Sequence, residues 1–273
     1  MLTNLSICIV LLAMVVHMTV AVKVLVLGGS GFVGGKLISL LTNRGVEIVA
    51  LSRRGAPVGD VCPTNVEYLK CDVGDKEQLA AVFKSHGPFG MVYHAIGLLL
   101  DPDSGLSGLN RLASGSGSVP SETSSYDRIT RQTSFNAIDL LVEQQKETGS
   151  TTAVPMVFVS AAEAGWTWPS PVGFLERYLV AKRAVESRLQ SEEVAPFIRP
   201  IILRPSLIYT MDRPQALFSV IPFMVASKIG VPGVEKPVEL DVLAKSGIVA
   251  SENQDIRGVK RIEEMTELSK SFK

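Results

Sequence analysis

At 273 residues the chain is long enough for one large α/β domain, or for a domain with a small appendage. Its 27 basic and 27 acidic residues cancel and the pI is near 6.8, which argues against nucleic acid or an acidic lipid surface as the main partner. A hydrophobic content of 46% supports a substantial core, while Cys8, Cys62 and Cys71 contain no CxxC pair and His17, His86 and His94 are scattered, so neither a disulfide framework nor a metal cluster is expected and a reducing compartment is the default.

The first 22 residues carry no Lys, Arg, Asp or Glu, and from Leu5 to Val22 only Ser6, His17 and Thr19 break the apolar run. A secretory signal has a basic start, a membrane span needs at least this whole run, and a mitochondrial presequence is rich in arginine. Residues 1–21 are therefore expected to be a leader or extension outside the fold. Secretion, or membrane anchoring through Leu5 to Val22, is the alternative.

Residues 22–54 read as strand, turn, helix, strand. An apolar run over 22–27 meets the turn Gly28-Gly29-Ser30-Gly31-Phe32-Val33-Gly34, then a helical pattern with Val33, Leu37, Leu40 and Leu41 on one face, then a second apolar run over 46–51. Gly28 lets the chain leave the strand in a conformation that a β-carbon opposes. Gly31 leaves room for a pyrophosphate at the first helical N–H groups, and Gly34 lets the helix pack closely. The glycines fit GxxGxxG (28, 31, 34) or GxGxxG (29, 31, 34), and their place between strand and helix is the context a dinucleotide site requires. A tight turn without a ligand is the plain alternative. The end of the second strand offers no acid for a ribose 2′-OH. Arg53 and Arg54 stand there instead and suit a 2′-phosphate, so NADP(H) is expected ahead of NAD(H). Solvated surface arginines are the alternative.

A third strand is expected at 66–70. Asp72 and Val73 follow it and would flank an adenine, with Asp72 accepting from the amino group or serving only as a turn aspartate. Asp75 and Gln78 look like a helix cap and its N3 partner, opening a helix over 76–84. The fourth strand, 91–95, closes on His94 and Ala95. There a small residue would admit the nicotinamide ribose, and His94 either reaches a phosphate or ribose oxygen or is an ordinary strand-end residue. Residues 101–125 are rich in Ser and Gly and read as a flexible insertion. A helix over 126–146, a strand over 154–159 ending at Ser160, a helix over 175–190 and a strand over 201–203 complete an alternating pattern. The pattern predicts an α/β fold, a Rossmann doubly wound parallel sheet of order 3-2-1-4-5-6, across residues 22–206. Residues 207–273 are expected to form a small C-terminal helical lobe over the substrate end of the sheet, with helices at 215–229, 238–250 and 262–270 and a short strand near Gly258. Its apolar face would line a lipid-like pocket or form ordinary core.

Tyr178 and Lys182 are four apart on a predicted helix and share a face. The Lys182 ammonium is expected to lower the phenol pKa, so that Tyr178 exchanges a proton with a substrate oxygen while Ser160 polarises the carbonyl. Ser160 at a strand end, followed by Tyr-x-x-x-Lys and preceded by a glycine turn, resembles the short-chain dehydrogenase/reductase superfamily in its extended or atypical branch. The segment Leu203-Arg204-Pro205-Ser206-Leu207-Ile208-Tyr209 looks like that branch's LRPGxxYG, with Ser206 in place of glycine. Thr130 stands where many such reductases supply an asparagine. The blocks VYHAIGLLLD (92–101), FVSAAEAG (158–165), RYLVAKRAVESRL (177–189) and FIRPIILRPSLIY (197–209) are similar to mitochondrial reductase-like proteins of coenzyme Q biosynthesis and to the complex I 39 kDa subunit branch.

That resemblance implies Lys182 on the nicotinamide ribose and a bound NADP(H) that can be structural. It also implies a mitochondrial location on the matrix side of the inner membrane, and as partners a quinone or lipid-like substrate or an inner-membrane protein complex. A non-catalytic assembly subunit and a nucleotide-sugar epimerase or dehydratase are the other readings.

Overall fold

The computed structural model describes residues 22–57, 62–97, 125–168, 173–212, 221, 224–230 and 234–273. Strands β1 (Val24–Leu27), β2 (Ile48–Ser52), β3 (Val66–Lys70), β4 (Met91–His94), β5 (Val154–Val159), β6 (Ile198–Leu203) and β9 (Gly258–Lys260) form one parallel sheet of order β3-β2-β1-β4-β5-β6-β9. This is the expected 3-2-1-4-5-6 sheet with a seventh strand added beside β6. The short strand expected near Gly258 is that edge. A second, two-stranded ladder joins β7 (Ile208–Tyr209) to β8 (Val238–Glu239).

Alternation along β1 sorts the core into two layers. Leu25 and Leu27 face helices α2 (Lys76–His86), α3 (Thr133–Thr148) and α4 (Gly173–Leu189), packing with Leu79, Ile138 and Val185. Val24 and Val26 face the other side, where α1 (Phe32–Thr42), α5 (Leu240–Glu252) and α6 (Ile262–Lys270) supply Leu37, Leu243 and Met265. Helix α5 thus lies beside α1 against the sheet, and β9 returns the chain to the sheet edge. Of the helix expected over 215–229, residue 221 and residues 224–228 are helical, while 213–220, 222 and 223 lie outside the described residues. So do residues 1–21 and all but Ser125 of the expected insertion 101–125.

Local chemistry explains several boundaries. Asp75 caps α2 by accepting from the backbone N–H of Glu77 and Gln78, and the Gln78 amide donates to its other oxygen at 2.8 Å. Gly149 ends α3 with φ at 61°, the left-handed region that glycine enters at little cost. The helix expected over 126–146 begins with one wide π-helical stretch, Asp127–Gln132, before it becomes α3. No helix among the described residues is long and apolar enough to cross a membrane.

Candidate functional site

The glycine turn sits at the C-terminal end of β1, in the middle of the sheet. Gly28 has φ +90°, and a β-carbon there would lie 3.0 Å from the carbonyl of Ala95 at the end of β4. Its N–H and that of Gly29 both donate to Leu51 O at 2.9 Å, which pins the turn to β2. A β-carbon on Gly34 would come within 2.1 Å of Gly28 O, so only glycine permits this approach of helix and turn. Helix α1 opens at Gly31 with no side-chain cap and no acidic residue in its first turn. A bare, uncapped helix start carries partial positive charge and N–H donors, the setting that suits a pyrophosphate. Ser30, Phe32 and Val33 are half-buried around it. The residues present therefore fit a dinucleotide.

Arg53 and Arg54 are exposed just beyond β2. Cys71 N–H donates to Ser52 O at 2.9 Å, which brings the residues after β3 alongside them. Asp72 Oδ1 accepts from Gly74 N–H at 3.0 Å and Oδ2 from Arg128 at 3.2 Å, while the Val73 side chain is buried in the core.

His94 is buried against α3. Its imidazole is 0% exposed, with Nε2 2.9 Å from Thr133 Oγ1 and 3.1 Å from Ser134 Oγ on α3. Both hydroxyls also reach helix carbonyls, Ile129 O and Thr130 O, at 2.7 Å. Each hydroxyl has one proton, so Nε2–H is the donor to them and Nδ1, which has no partner, keeps its lone pair. Burial pulls the imidazole down to about 3, with the Lys182 charge adding to it, so His94 is neutral.

The residues around Ser160 are engaged internally. The Ser160 hydroxyl donates to Glu186 Oε1 on α4. Glu186 is 4% exposed and also takes Arg204 Nε at 3.0 Å and Nη2 at 2.5 Å. The Lys182 ammonium donates to Val159 O at 2.6 Å, and it lies 4.8 Å from the Phe158 ring centroid and 5.6 Å from that of Tyr178. Burial pulls Lys182 down to about 7, with Glu186 acting in the other direction. The sequence expectation for Tyr178 was a lowered pKa. The phenol is instead pushed well above its ordinary value, first by burial and then by Glu163 and Tyr126, whose ring packs edge-on at 5.4 Å. Lys182 lies over the face of the tyrosine ring and donates one of its three N–H bonds to Val159 O. Ser160, Tyr178 and Lys182 thus share one neighbourhood, with the Ser160 hydroxyl and Lys182 ammonium bonded to groups outside the trio.

Sequence reasoning missed Glu186, although it stands four residues after Lys182 on the same helix face. It also missed Arg128, Thr133 and Ser134. Arg204 was noted within its segment, but nothing in a sequence says that its guanidinium meets Glu186. Among the described residues no group of three or more His, Cys, Asp or Glu could hold a metal ion.

A parallel Rossmann sheet with a glycine cradle between its first strand and helix is an architecture shared with nucleotide-binding reductases and epimerases. A sequence model of the NAD dependent epimerase/dehydratase family matches residues 24–114. The expected resemblance to the short-chain dehydrogenase/reductase superfamily is borne out. Among curated proteins, the chain is 23% identical to MIOREX complex component 2 of Saccharomyces cerevisiae over 282 residues, covering 89% of this chain and 98% of that protein. Two solved structures share the fold. UDP-glucose 4-epimerase of Thermus thermophilus, in complex with NAD, has a TM-score of 0.58 at 17% identity over 91% of this chain and 82% of that one. ElxO with NADP bound has a TM-score of 0.63 at 16% identity over 89% of this chain and 97% of that one. The two carry different nicotinamide dinucleotides, NAD in the first and NADP in the second.

Proposed function

We propose that this protein holds NADP(H) in the Gly28–Gly34 cradle and serves as a nucleotide-bound, reductase-like component of a mitochondrial inner-membrane assembly. The observation that carries this is a contrast in the site. The cradle is shaped so that a β-carbon at Gly34 would strike Gly28 O, while the Ser160 hydroxyl proton is directed to Glu186 and one Lys182 N–H to Val159 O. Gly28, Gly29, Ser30, Gly31, Phe32, Val33 and Gly34 would hold the pyrophosphate, and Arg53 and Arg54 a 2′-phosphate. Asp72 and Val73 would lie beside the adenine, and Ala95 beside the nicotinamide ribose. His94 would support this strand end from behind, through α3, without touching the nucleotide. The similarity to a protein named as a complex component supports a role in an assembly. The mitochondrial location rests on the resemblance of residues 92–101, 158–165, 177–189 and 197–209 to mitochondrial reductase-like proteins.

A second reading is favoured by the Tyr178–Lys182 pair, whose Lys182 bonds Val159 O at the end of β5. The bound cofactor would supply a hydride to a quinone or lipid-like carbonyl, whose oxygen takes the Tyr178 phenolic proton. Lys182 would orient the nicotinamide ribose. That reading requires the Ser160 hydroxyl to leave Glu186 and face the substrate.

Titration of wild type and of the Arg53→Glu, Arg54→Glu double variant with NADPH and NADH tests the cofactor. Wild type is expected to prefer NADPH by roughly tenfold or more, and the double variant to lose that preference. Equal binding of both cofactors by wild type would reject the NADP(H) assignment.

A further inference from the structure

The strand ends beside Ser160 carry a pair of like charges. In the β6–β9 ladder Leu203 stands opposite Lys260, and the Arg204 N–H donates to Lys260 O at 3.0 Å. That bond carries the register one step past both strands and sets Arg204 opposite Arg261. Side chains opposite one another in a parallel pair leave on the same face. Here both guanidinium groups reach the short helical turn Ala162–Gly165, which follows Ser160. The point where a β-carbon of Gly165 would lie is 2.9 Å from Arg204 Nη1 and 3.4 Å from Arg261 Nη2. Gly165 thus leaves the two nitrogens a shared opening.

Like charges directly opposite on neighbouring strands are destabilising, and a local rule broken in this way is expected at functional sites. The neighbouring acids do not resolve it. Glu186 takes Nε and Nη2 of Arg204 and leaves Nη1. Glu264 accepts from the Arg261 backbone N–H and from Lys260 Nζ, not from the Arg261 guanidinium. Glu163, in the turn itself, is pushed above the ordinary carboxylate range by burial, with Glu235 adding to it. Glu235 also acts on Arg204, from beyond ion-pair distance. The opening lies at the carboxyl ends of β5, β6 and β9, the edge where parallel α/β sheets take their ligands. It adjoins the Ser160 end of the site, because Arg204 and the Ser160 hydroxyl meet the same Glu186 oxygen and Tyr178 packs with Ala164.

We propose that Arg204 Nη1 and Arg261 Nη2 form a subsite for an oxyanion, a carboxylate or phosphate group carried by the substrate. This rests on the second reading above and gives its substrate an anionic group, which a neutral quinone lacks. Two guanidinium groups aimed at one point offer an oxyanion charge-assisted hydrogen bonds from both sides. The bound anion offsets their repulsion.

The test is the shift in melting temperature caused by inorganic phosphate and by acetate, at ionic strength matched with chloride. Saturating NADPH is present, so that the glycine cradle and the arginines after β2 are filled. Arg261→Leu removes one guanidinium at an exposed position. Arg257→Leu makes the same charge change at the opposite end of β9 and is the control. Wild type and Arg257→Leu are expected to bind one of the two anions roughly tenfold or more tightly than Arg261→Leu. Arg261→Gln, which keeps a polar side chain there, is expected to show the same loss. Preference for phosphate would assign a phosphorylated substrate, and preference for acetate a carboxylic acid. Equal shifts in all the proteins, or an equal loss in Arg257→Leu and Arg261→Leu, would overturn the subsite. Failure to bind NADPH, with the Arg261-dependent shift intact, would overturn the nucleotide reading and leave the subsite in place.

Discussion

The two ends of the candidate site differ in what their residues touch. At the glycine turn, backbone groups are arranged around space: Gly28 is left-handed, Gly34 lies against Gly28 O, and α1 starts without a cap. At the Ser160 end, polar side chains fill their own demands. Ser160 and Arg204 converge on Glu186, and Lys182 is bonded to Val159 O. Side chains of the right type at the right spacing can thus be present while their protons are directed elsewhere. A backbone shape is harder to divert, because few residues other than glycine can occupy it.

This comparison is most strongly challenged at Glu186. If the Ser160 end is chiefly a structural hub, Glu186→Ala leaves Arg204 with an unpaired, largely buried charge and is expected to cost about 3–5 kcal/mol in urea unfolding. The Glu186→Leu, Arg204→Met double variant should recover much of that loss, since the Arg204 charge is removed together with its carboxylate partner. A loss below about 1 kcal/mol for Glu186→Ala would show that the hub contributes little.

Lys182 gives a smaller effect with a defined sign. Its folded pKa of about 7 lies below the ordinary 10.5, so between these values the unfolded chain binds more protons and stability rises with pH. The rise reaches at most about 1.4 kcal/mol per pH unit. The clean window is pH 7 to 9. Above it, Cys71, raised from 9.0 to about 11 by burial and by Asp72 and Asp75, opposes the trend. Lys182→Met should flatten this slope and hold or raise stability at pH 7. An unchanged slope would show that Lys182 is not a desolvated ammonium.

His94 acts on the acid side. Its imidazole stays neutral in the fold down to about pH 3, whereas the unfolded chain takes up a proton near 6.5. Stability therefore falls as pH drops from 6.5 toward 3, and His94→Gln, which keeps a donor near Nε2, should make that acid limb shallower. Parallel acid limbs for the two proteins would contradict a buried neutral imidazole.

Much of the fold could be read along the chain because each layer had its own period. The alternation of apolar runs and amphipathic helices led to the sheet order, and β3, β5 and α6 begin and end where the sequence pattern does. The glycine cradle was legible because its chemistry is backbone chemistry. Two things were hidden. The π-helical stretch at Asp127–Gln132 has no composition of its own. The direction of Ser160 depends on which neighbour offers it a carboxylate oxygen, and that neighbour, Glu186, stands 26 residues later in the chain. The role of α5 beside α1 was equally hidden, since an apolar helix can pack on any apolar layer.

The central claim is that the glycine cradle, and not the Ser160 end, defines the nucleotide site. It is tested most directly by fluorescence titration of NADPH against wild type, Gly34→Ala and Tyr178→Phe. The account expects binding by wild type, a loss of roughly a hundredfold or more in Gly34→Ala because the new β-carbon would meet Gly28 O at 2.1 Å, and a change of less than about threefold in Tyr178→Phe. Full binding by Gly34→Ala, or loss of binding in Tyr178→Phe, would contradict it.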